Sequence, residues 1–421
     1  MSDPSTSMAT AGSEHAPAAS SRLQFVATWL MALALAMSPA YIVHLRKGFT
    51  LLEAVLLVAI LVGLIAFWRD LPWRNSYTIP GAVLLLAALI NVVMSPDRLA
   101  AADTWKAYFL EPAAAGLVIA AIARRRDRAR ILLLGLGVAG MIVSGANLVG
   151  DTNQWLIHGI RDHRLIVTPP VVIYDTANAI PLYLEPLDAF ALAIFFLSED
   201  RLERWLAGIF VVVSGLAILE SLSRAGIPTF LVLVVLIAFF TRYRWLVTAG
   251  VAVICGLLFA GSGTIRHRVM VEFNLSSKDN TVDTRRRVWA SALNMLRHHP
   301  IFGGGLDGFK QSLQPYITDG YNENLIYPHN LFLNFWSETG ILGLAAFVWM
   351  MVQMLRTAIR GLRLEQSWPR IVAVGVIGVL VAFLIHGMVD VPYFKNDQAL
   401  AYWALLGVQV GSLVGVRSIS G

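Results

Sequence analysis

Charge is scarce in this sequence. Only 14% of its 421 residues are Asp, Glu, Lys or Arg, while 57% are hydrophobic; an ordinary soluble domain is roughly 25% charged. A water-soluble enzyme of this length could not cover so apolar a core, and that class is excluded. Cysteine is almost absent. Cys255 stands alone inside an apolar run, which excludes a disulfide framework or a thiolate metal cluster within one chain. No Asp-x-Asp occurs, and no Gly-Lys-Ser/Thr follows Gly303-Gly304-Gly305, so this glycine run is not a Walker A loop. It reads instead as a tight re-entry turn. Asp279 and Asp283, one turn apart, are by themselves a weak metal signal. Repeats of 20–50 residues are missing, against a solenoid, as are the short alternating strands of a β-barrel. The net charge of +6 sits mainly in short loops and gives no argument for nucleic acid.

What remains is apolar runs of membrane-spanning length, since about 20 helical residues cross the hydrocarbon layer. Twelve are expected: Leu23–Leu45, Phe49–Trp68, Thr78–Ser95, Trp105–Ala123, Ile131–Gly150, Ile180–Ser198, Trp205–Leu222, Ile227–Thr241, Trp245–Ser262, Asn330–Leu355, Trp368–Val389 and Gln398–Val416. The expectation is an all-α, polytopic membrane protein. Residues 1–21, rich in Ser, Ala, Pro and Thr, read as a disordered cytoplasmic tail. They lack the basic start of a signal peptide. Residues 22–262 would hold helices one to nine, 263–329 a large loop with amphipathic helices, and 330–421 the last three helices.

Lys and Arg set the orientation. With the N-terminus inside, seventeen of the 33 fall on the cytoplasmic side, eight in short outer loops and eight in the long loop, which the rule does not count. Both termini are then cytoplasmic. The long loop, the turn holding Arg224, the Asn153–Pro181 loop and the turn after Asp390 all face outward. Polar features gathered on one face suit an enzyme working at the outer surface. A transporter or flippase would place its sites near the midplane between repeats.

Three constellations could carry chemistry. In Thr284–Arg297, Val288, Trp289, Ala292, Leu293 and Leu296 cover one helical face. Arg285 lies in the middle of that face, Arg286 at its margin, and Arg287 on the other side. A guanidinium on an inward face must be paired, and a bound anion would satisfy it. The alternative for Arg286 and Arg287 is a basic helix lying on lipid headgroups. The second constellation, Ser221-Leu222-Ser223-Arg224-Ala225-Gly226, joins two spans with almost no loop and holds Arg224 at the mouth of the bundle. There, Gly226 and Pro228 open a helix whose N–H groups favour an anion. Glu220, one turn earlier, offers the plainer reading of a salt bridge closing the turn. Third is Tyr327-Pro328-His329-Asn330, directly before an apolar run. Histidine suits proton transfer at neutral pH, although one at a helix start often has only a structural part. His298-His299 reads as a helix cap. His386 and Asp390, one turn apart at a membrane boundary, are functional candidates or a mutual hydrogen bond that orients a helix.

The segments SLSRAG, Arg285-x-x-x-Trp289, Pro300-Ile301-Phe302-Gly303-Gly304-Gly305, and Pro328-His329-Asn330 followed by Glu338-Thr339-Gly340-Ile341-Leu342-Gly343 together resemble the bacterial O-antigen ligase and O-antigen polymerase superfamily. The resemblance is concentrated in Ser221–Gly343, with further support from His386–Asp390. It implies a GT-C-like, metal-independent glycosyltransferase without cofactor, in the bacterial inner membrane, with its active site facing the periplasm. The implied donor is a glycan on undecaprenyl diphosphate. The implied acceptor is a sugar hydroxyl of the lipid A core, glycosylated with inversion in lipopolysaccharide assembly. Carried over by position, Arg224 and Arg285 would bind the diphosphate, with Arg286, Arg287 and Asn330 as further substrate contacts. His329 would be the general base, and Asp390 matches a family acid. Where many relatives have Ser-Pro-Asn, this chain has Asp175-Thr176-Ala177-Asn178, which leaves Asn178 as the matching contact on an altered loop.

The chemistry is consistent with those residue types. A lipid diphosphate gains negative charge as its glycosidic bond breaks. Arginines, permanently charged and able to grip phosphate through two parallel hydrogen bonds, can neutralise it without a metal. A polymerase of lipid-linked units, a protein O-oligosaccharyltransferase, and a transporter or flippase for lipid-linked sugar are the alternatives. One dominant outer loop, in a chain with no added soluble domain, leans towards the ligase.

Overall fold

A computed structural model describes residues 16–46, 48–154, 172–261, 263, 266–267, 270–271, 281–317, 326–365 and 367–417. In chain order the helices are α1 (Ala16–Ala36), α2 (Leu51–Phe67), α3 (Thr78–Met94), α4 (Arg98–Trp105), α5 (Glu111–Ile122), α6 (Arg126–Gln154), α7 (Ala179–Leu197), α8 (Arg201–Glu220), α9 (Gly226–Ala238) and α10 (Arg244–Gly261). They continue with α11 (Thr281–His298), α12 (Phe309–Leu313), α13 (Leu331–Leu362), α14 (Ser367–Ile385) and α15 (Asn396–Arg417). Strands β1 (His44–Arg46) and β2 (Phe49–Thr50) form a small antiparallel hairpin. The protein is an all-α polytopic membrane protein, as a bilayer that cannot satisfy backbone N–H and C=O groups demands.

Among the described residues, eight helical segments are long and apolar enough to cross a membrane: Leu51–Asp70, Arg98–Ile122, Arg126–Gly150, Ala179–Leu197, Arg201–Glu220, Arg244–Gly261, Leu331–Leu362 and Ser367–Met388. Three shorter apolar helices, Ser21–Ala36, Thr78–Met94 and Gly226–Ala238, lie within or against the same bundle. Each of the twelve expected spans overlaps a helix, the last of them α15, but several end elsewhere than expected. The first stops at Ala36 rather than Leu45, because Ser38 and Pro39 open a tight 3-10 turn that leads into the hairpin. The fourth begins at Arg98, capped by Asp97, and passes through a π turn at Lys106–Leu110.

Side-chain caps start several helices. Thr50 and Glu53 form a reciprocal capping box on α2, and Asp200 caps α8, each meeting N–H groups that a helix leaves unpaired. The centre of the bundle is α7, buried throughout Ala179–Ala193, packed against α8, α9 and α14. α15 packs along α5, and α3 along α13. α10 has no buried residue and touches the bundle through α9.

The connecting turns sort into two ends. At one, Arg124 faces Asp70 at 3.7 Å, Arg126 faces Glu203 at 3.6 Å and stacks over Trp368, and Arg130 pairs with Asp200 and Glu203. These are turns expected on one side of the membrane. At the other end Lys106 meets Glu53 at 3.0 Å, Tyr174 donates to Asp397, and Leu306 N–H donates to Asn91. The candidate residues lie at that second end.

Candidate active site

The first turn of α13 is over-determined by its neighbours. Asn330 Oδ1 accepts from the N–H groups of Phe332 and Leu333 at 3.1 and 3.0 Å, capping the helix. Its Nδ2 donates to the Met388 carbonyl at 3.0 Å, which fastens the mouth of α13 to the turn after α14. Pro328 offers its carbonyl to Trp289 Nε1 at 3.0 Å and so ties α11 to the same point. Between these two ties His329 has φ +49°. A non-glycine residue in the left-handed region costs about 1–3 kcal/mol and persists only where its surroundings fix it.

The conformation sets His329 Nδ1 3.5 Å from Asp390 Oδ1, an ion-pair distance, with Asp390 almost fully buried. The Tyr327 ring meets the imidazole edge to face at 4.6 Å. Asp390 is itself held: its N–H donates to the His386 carbonyl at 2.9 Å, and its Oδ1 accepts from Val391 N–H at 2.9 Å. Burial opposes ionisation of Asp390. His329, then His386 and Arg285, outweigh it and hold the carboxyl below the ordinary aspartate range. Burial, then the charge of Asp390, pushes the Tyr327 phenol up, while Arg285 opposes both. The half-buried Arg285 of α11 thus acts on the same small volume as Asp390, His386 and Tyr327.

Arg224 reaches this end of the bundle by another route. In its turn Leu222 has φ +51°, and Ser223 Oγ accepts from Gly226 N–H at 3.1 Å. Gly226 lies so close to α7 that a Cβ there would sit 2.5 Å from Pro181. Asn178 immediately precedes α7, without a side-chain cap bond. One turn below Pro181, Glu185 takes both its oxygens to His386 Nδ1, at 2.9 and 3.0 Å. His329 and Asp390 are brought together directly, and Arg285 lies near enough for its charge to act on Asp390. Arg224 and Asn178 flank the α7–α9 contact, one turn from the Glu185–His386 pair.

Arg286 is exposed, and Arg287 is exposed and engaged by Asp283 at 2.8 Å. The inward face of α11 is Val288, Ser291, Ala292, Met295 and Leu296, while Leu293 is exposed rather than inward. The stripe is rotated toward Phe309, Leu313 and Trp336, against which it packs. His298 Nδ1 bonds the Asn294 carbonyl at 2.9 Å, as a helix-end histidine does. The glycine run is a turn pressed against a break in α13: Gly304 N–H donates to Ser337, and Ile341 N–H to Ile301. The N–H groups of Asp307, Gly308 and Phe309 converge on the Glu338 carboxylate. This is a backbone nest of the kind that cradles phosphate, filled by the protein's own carboxyl group. His386 and Asp390 do not pair through their side chains, as one expectation had it, because the His386 ring turns to Glu185 and Asp390 turns to His329. Asp279 lies outside the described residues. Among the described residues no group of three His, Cys, Asp or Glu could hold a metal ion.

Sequence reasoning missed Glu185, and it named Tyr327 in the third constellation without giving it a role. An acid inside an apolar run, next to Pro186, was the available signal for Glu185, since ionisable groups in membrane segments mark functional candidates. Tyr327 had only its place beside Pro328.

No curated protein matches the chain. A family model described as O-antigen ligase matches residues 209–348, which include Arg224, Arg285, His329 and the break in α13, while Asn178, Glu185, His386 and Asp390 lie outside the match. Over residues 209–348, about a third of its length, the chain is similar to the O-antigen ligase family.

Proposed function

We propose that the protein is an O-antigen ligase: a glycosyltransferase that moves a glycan from undecaprenyl diphosphate to a sugar hydroxyl of the lipid A core. The observation that carries this reading is the meeting of Arg285, Asp390 and His329 around the first turn of α13, with His329 Nδ1 3.5 Å from a buried carboxylate. Asp390 holds the Nδ1 side of the imidazole, which leaves Nε2 for the acceptor hydroxyl. Nε2 takes the hydroxyl proton, the oxygen attacks the anomeric carbon, and the carbon–oxygen bond to the diphosphate breaks. The lipid diphosphate leaves with the electron pair, and attack from the opposite face inverts the centre. Arg285 and Arg224 neutralise the leaving anion.

Placed, charged donors of this kind contribute about 3–4 kcal/mol each to transition-state stabilisation, and a positioned base about 10²–10⁴-fold. No cofactor is assigned a part. Arg286 and Arg287 face outward and suit anionic headgroups better than the reacting diphosphate. Asn330 serves the site by capping α13, and Asn178 borders the entry beside α7. The excess of Lys and Arg at the end of the bundle holding Arg124–Arg130 supports cytoplasmic termini, an inner-membrane location and a periplasmic site. Twelve crossings in a GT-C-like arrangement belong to this reading; the described residues hold eight helical segments of spanning length and three shorter apolar helices.

The test is reconstitution of purified protein with undecaprenyl-diphosphate glycan and either rough lipopolysaccharide or a second donor molecule as acceptor. Glycosylated lipopolysaccharide is expected. Elongated donor would instead identify a polymerase, and movement of intact donor across vesicles without product would identify a transporter.

A further inference from the structure

Behind the Asp390–His329 pair lies a second acid–histidine pair that the proposed reaction does not use. Glu185 and His386 are both essentially removed from solvent, at 2% and 1% side-chain exposure. They come from different elements, α7 and the turn that closes α14. Glu185 grips Nδ1 with both oxygens, and His386 Nε2 is buried with no hydrogen-bond partner. An isolated buried charge costs several kcal/mol or so, so two such groups are retained together only as a matched pair. The pair is also directional. His386 shares its turn with Asp390, whose N–H it accepts, whereas Glu185 stands behind it on α7.

Resting on the transferase reading above, we propose that Glu185 and His386 are positioning residues for the catalytic dyad, an oriented carboxylate–imidazolium dipole whose positive end faces Asp390. Glu185 fixes a proton on His386, and the imidazolium offsets the charge of the almost fully buried Asp390 carboxylate. Asp390 thereby stays ionised and holds His329 Nδ1 without an excess of negative potential that would keep the dyad's proton in place. The groups facing Asp390 are His329 from the 326–330 segment, His386 from its own turn, Arg285 from α11 and Glu185 from α7; Tyr327 stands beside His329. Of the cations, Arg285 is assigned to the diphosphate and His329 to the acceptor. His386 is the one with no other task.

The sign follows from charge. In Glu185→Gln the imidazole loses its counter-charge, gives up its extra proton and no longer presents a positive end to the dyad. The dyad then releases its proton at higher pH. The acid limb of the transfer-rate profile should move up by about 0.5–1 pH unit, on the scale of charges one shell away. The high-pH plateau should recover, and KM for donor should stay within about twofold. His386→Gln should shift the limb in the same direction by at least as much. Glu185→Asp, which keeps the charge, should restore the wild-type limb. In an Asp390→Asn background, Glu185→Gln should add no further shift.

An unshifted limb in either folded variant, or a uniform loss at every pH, overturns the proposal. So does an equal shift in the Asp390→Asn background. Misfolding of both Glu185→Gln and His386→Gln would also count against it, by making the pair a requirement of the fold. Wild-type protein and His329→Ala, assayed alongside, separate the two levels. Absence of wild-type transfer, or persistence of transfer in His329→Ala, would refute the underlying transferase reading; a His329-dependent wild type with insensitive Glu185 variants would refute only this inference.

Discussion

Asp390→Asn isolates one interaction. The substitution keeps size, and its amide oxygen can still accept from Val391 N–H, as Asp390 Oδ1 does at 2.9 Å. Only the charge facing His329 at 3.5 Å is removed. At that distance two unit charges attract by about 5 kcal/mol with an effective dielectric constant of about 20. His329 is 27% exposed at its side chain, and water screening there reduces the useful part to about 2–3 kcal/mol. This attraction appears only as the imidazole takes up a proton, so it belongs to the transition state and not to donor binding. The expected result is a fall in kcat of about 30- to 150-fold, with KM for donor nearly unchanged, measured with purified protein in the ligase assay. Loss of the anion should also move the acid limb of the rate profile to lower pH. Because the folded-state carboxyl of Asp390 is held below the ordinary range, its contribution to stability is fully present above about pH 4. It is lost as pH falls further. Thermal unfolding of the wild type and the variant should differ near pH 6 and converge toward pH 3. A variant with less than threefold loss of kcat would show that Asp390 does not act on His329.

Arg224→Ala and Arg285→Ala should each lower transfer by 100-fold or so, on the scale of one lost oxyanion donor, without lowering the unfolding temperature; full activity in both purified variants would end the diphosphate assignment. His329→Ala should bind donor like the wild type in a lipid-donor binding assay and yet form no product, and near wild-type turnover would remove it from the base role. EDTA should leave activity unchanged, whereas restoration by Mg²⁺ or Mn²⁺ after chelation would contradict a metal-independent reaction. Gly340→Ala should destabilise the protein by about 2–3 kcal/mol. Gly340 has φ +70° and ψ 179°, and a Cβ there would strike the Ile301 carbonyl; the loss should register as a lower midpoint in thermal unfolding followed by tryptophan fluorescence.

Much of the architecture was legible because a bilayer leaves few choices. Runs such as Leu51–Phe67 and Ser367–Ile385 can only be helices, and their ends followed from caps and prolines. The motif residues were legible as a set: Arg285 was singled out for sitting on an apolar face, and His329 for opening a span. Their mutual placement depends on contacts between residues 58 and 201 positions apart that no local pattern encodes. Asn330 reaching Met388 is one such contact, and Glu185 reaching His386 is another. Glu185 was passed over because a lone acid in an apolar run does not reveal its partner. The rotation of α11 that exposes Leu293 was hidden for a similar reason: helical periodicity fixes which residues share a face, but the position of Trp336 and Phe309 fixes which of them is innermost.

The break at Gly340 leaves the outer part of α13 as a stub clamped at both ends, by Asn330 on Met388 and by Ile341 on Ile301. The long inner rod below packs against α3 and α14, while the stub that follows His329 keeps its own ties to Met388 and Ile301. On the proposed reading, the register of His329 with Asp390 therefore rests on these ties of the stub and not on the packing of the rod.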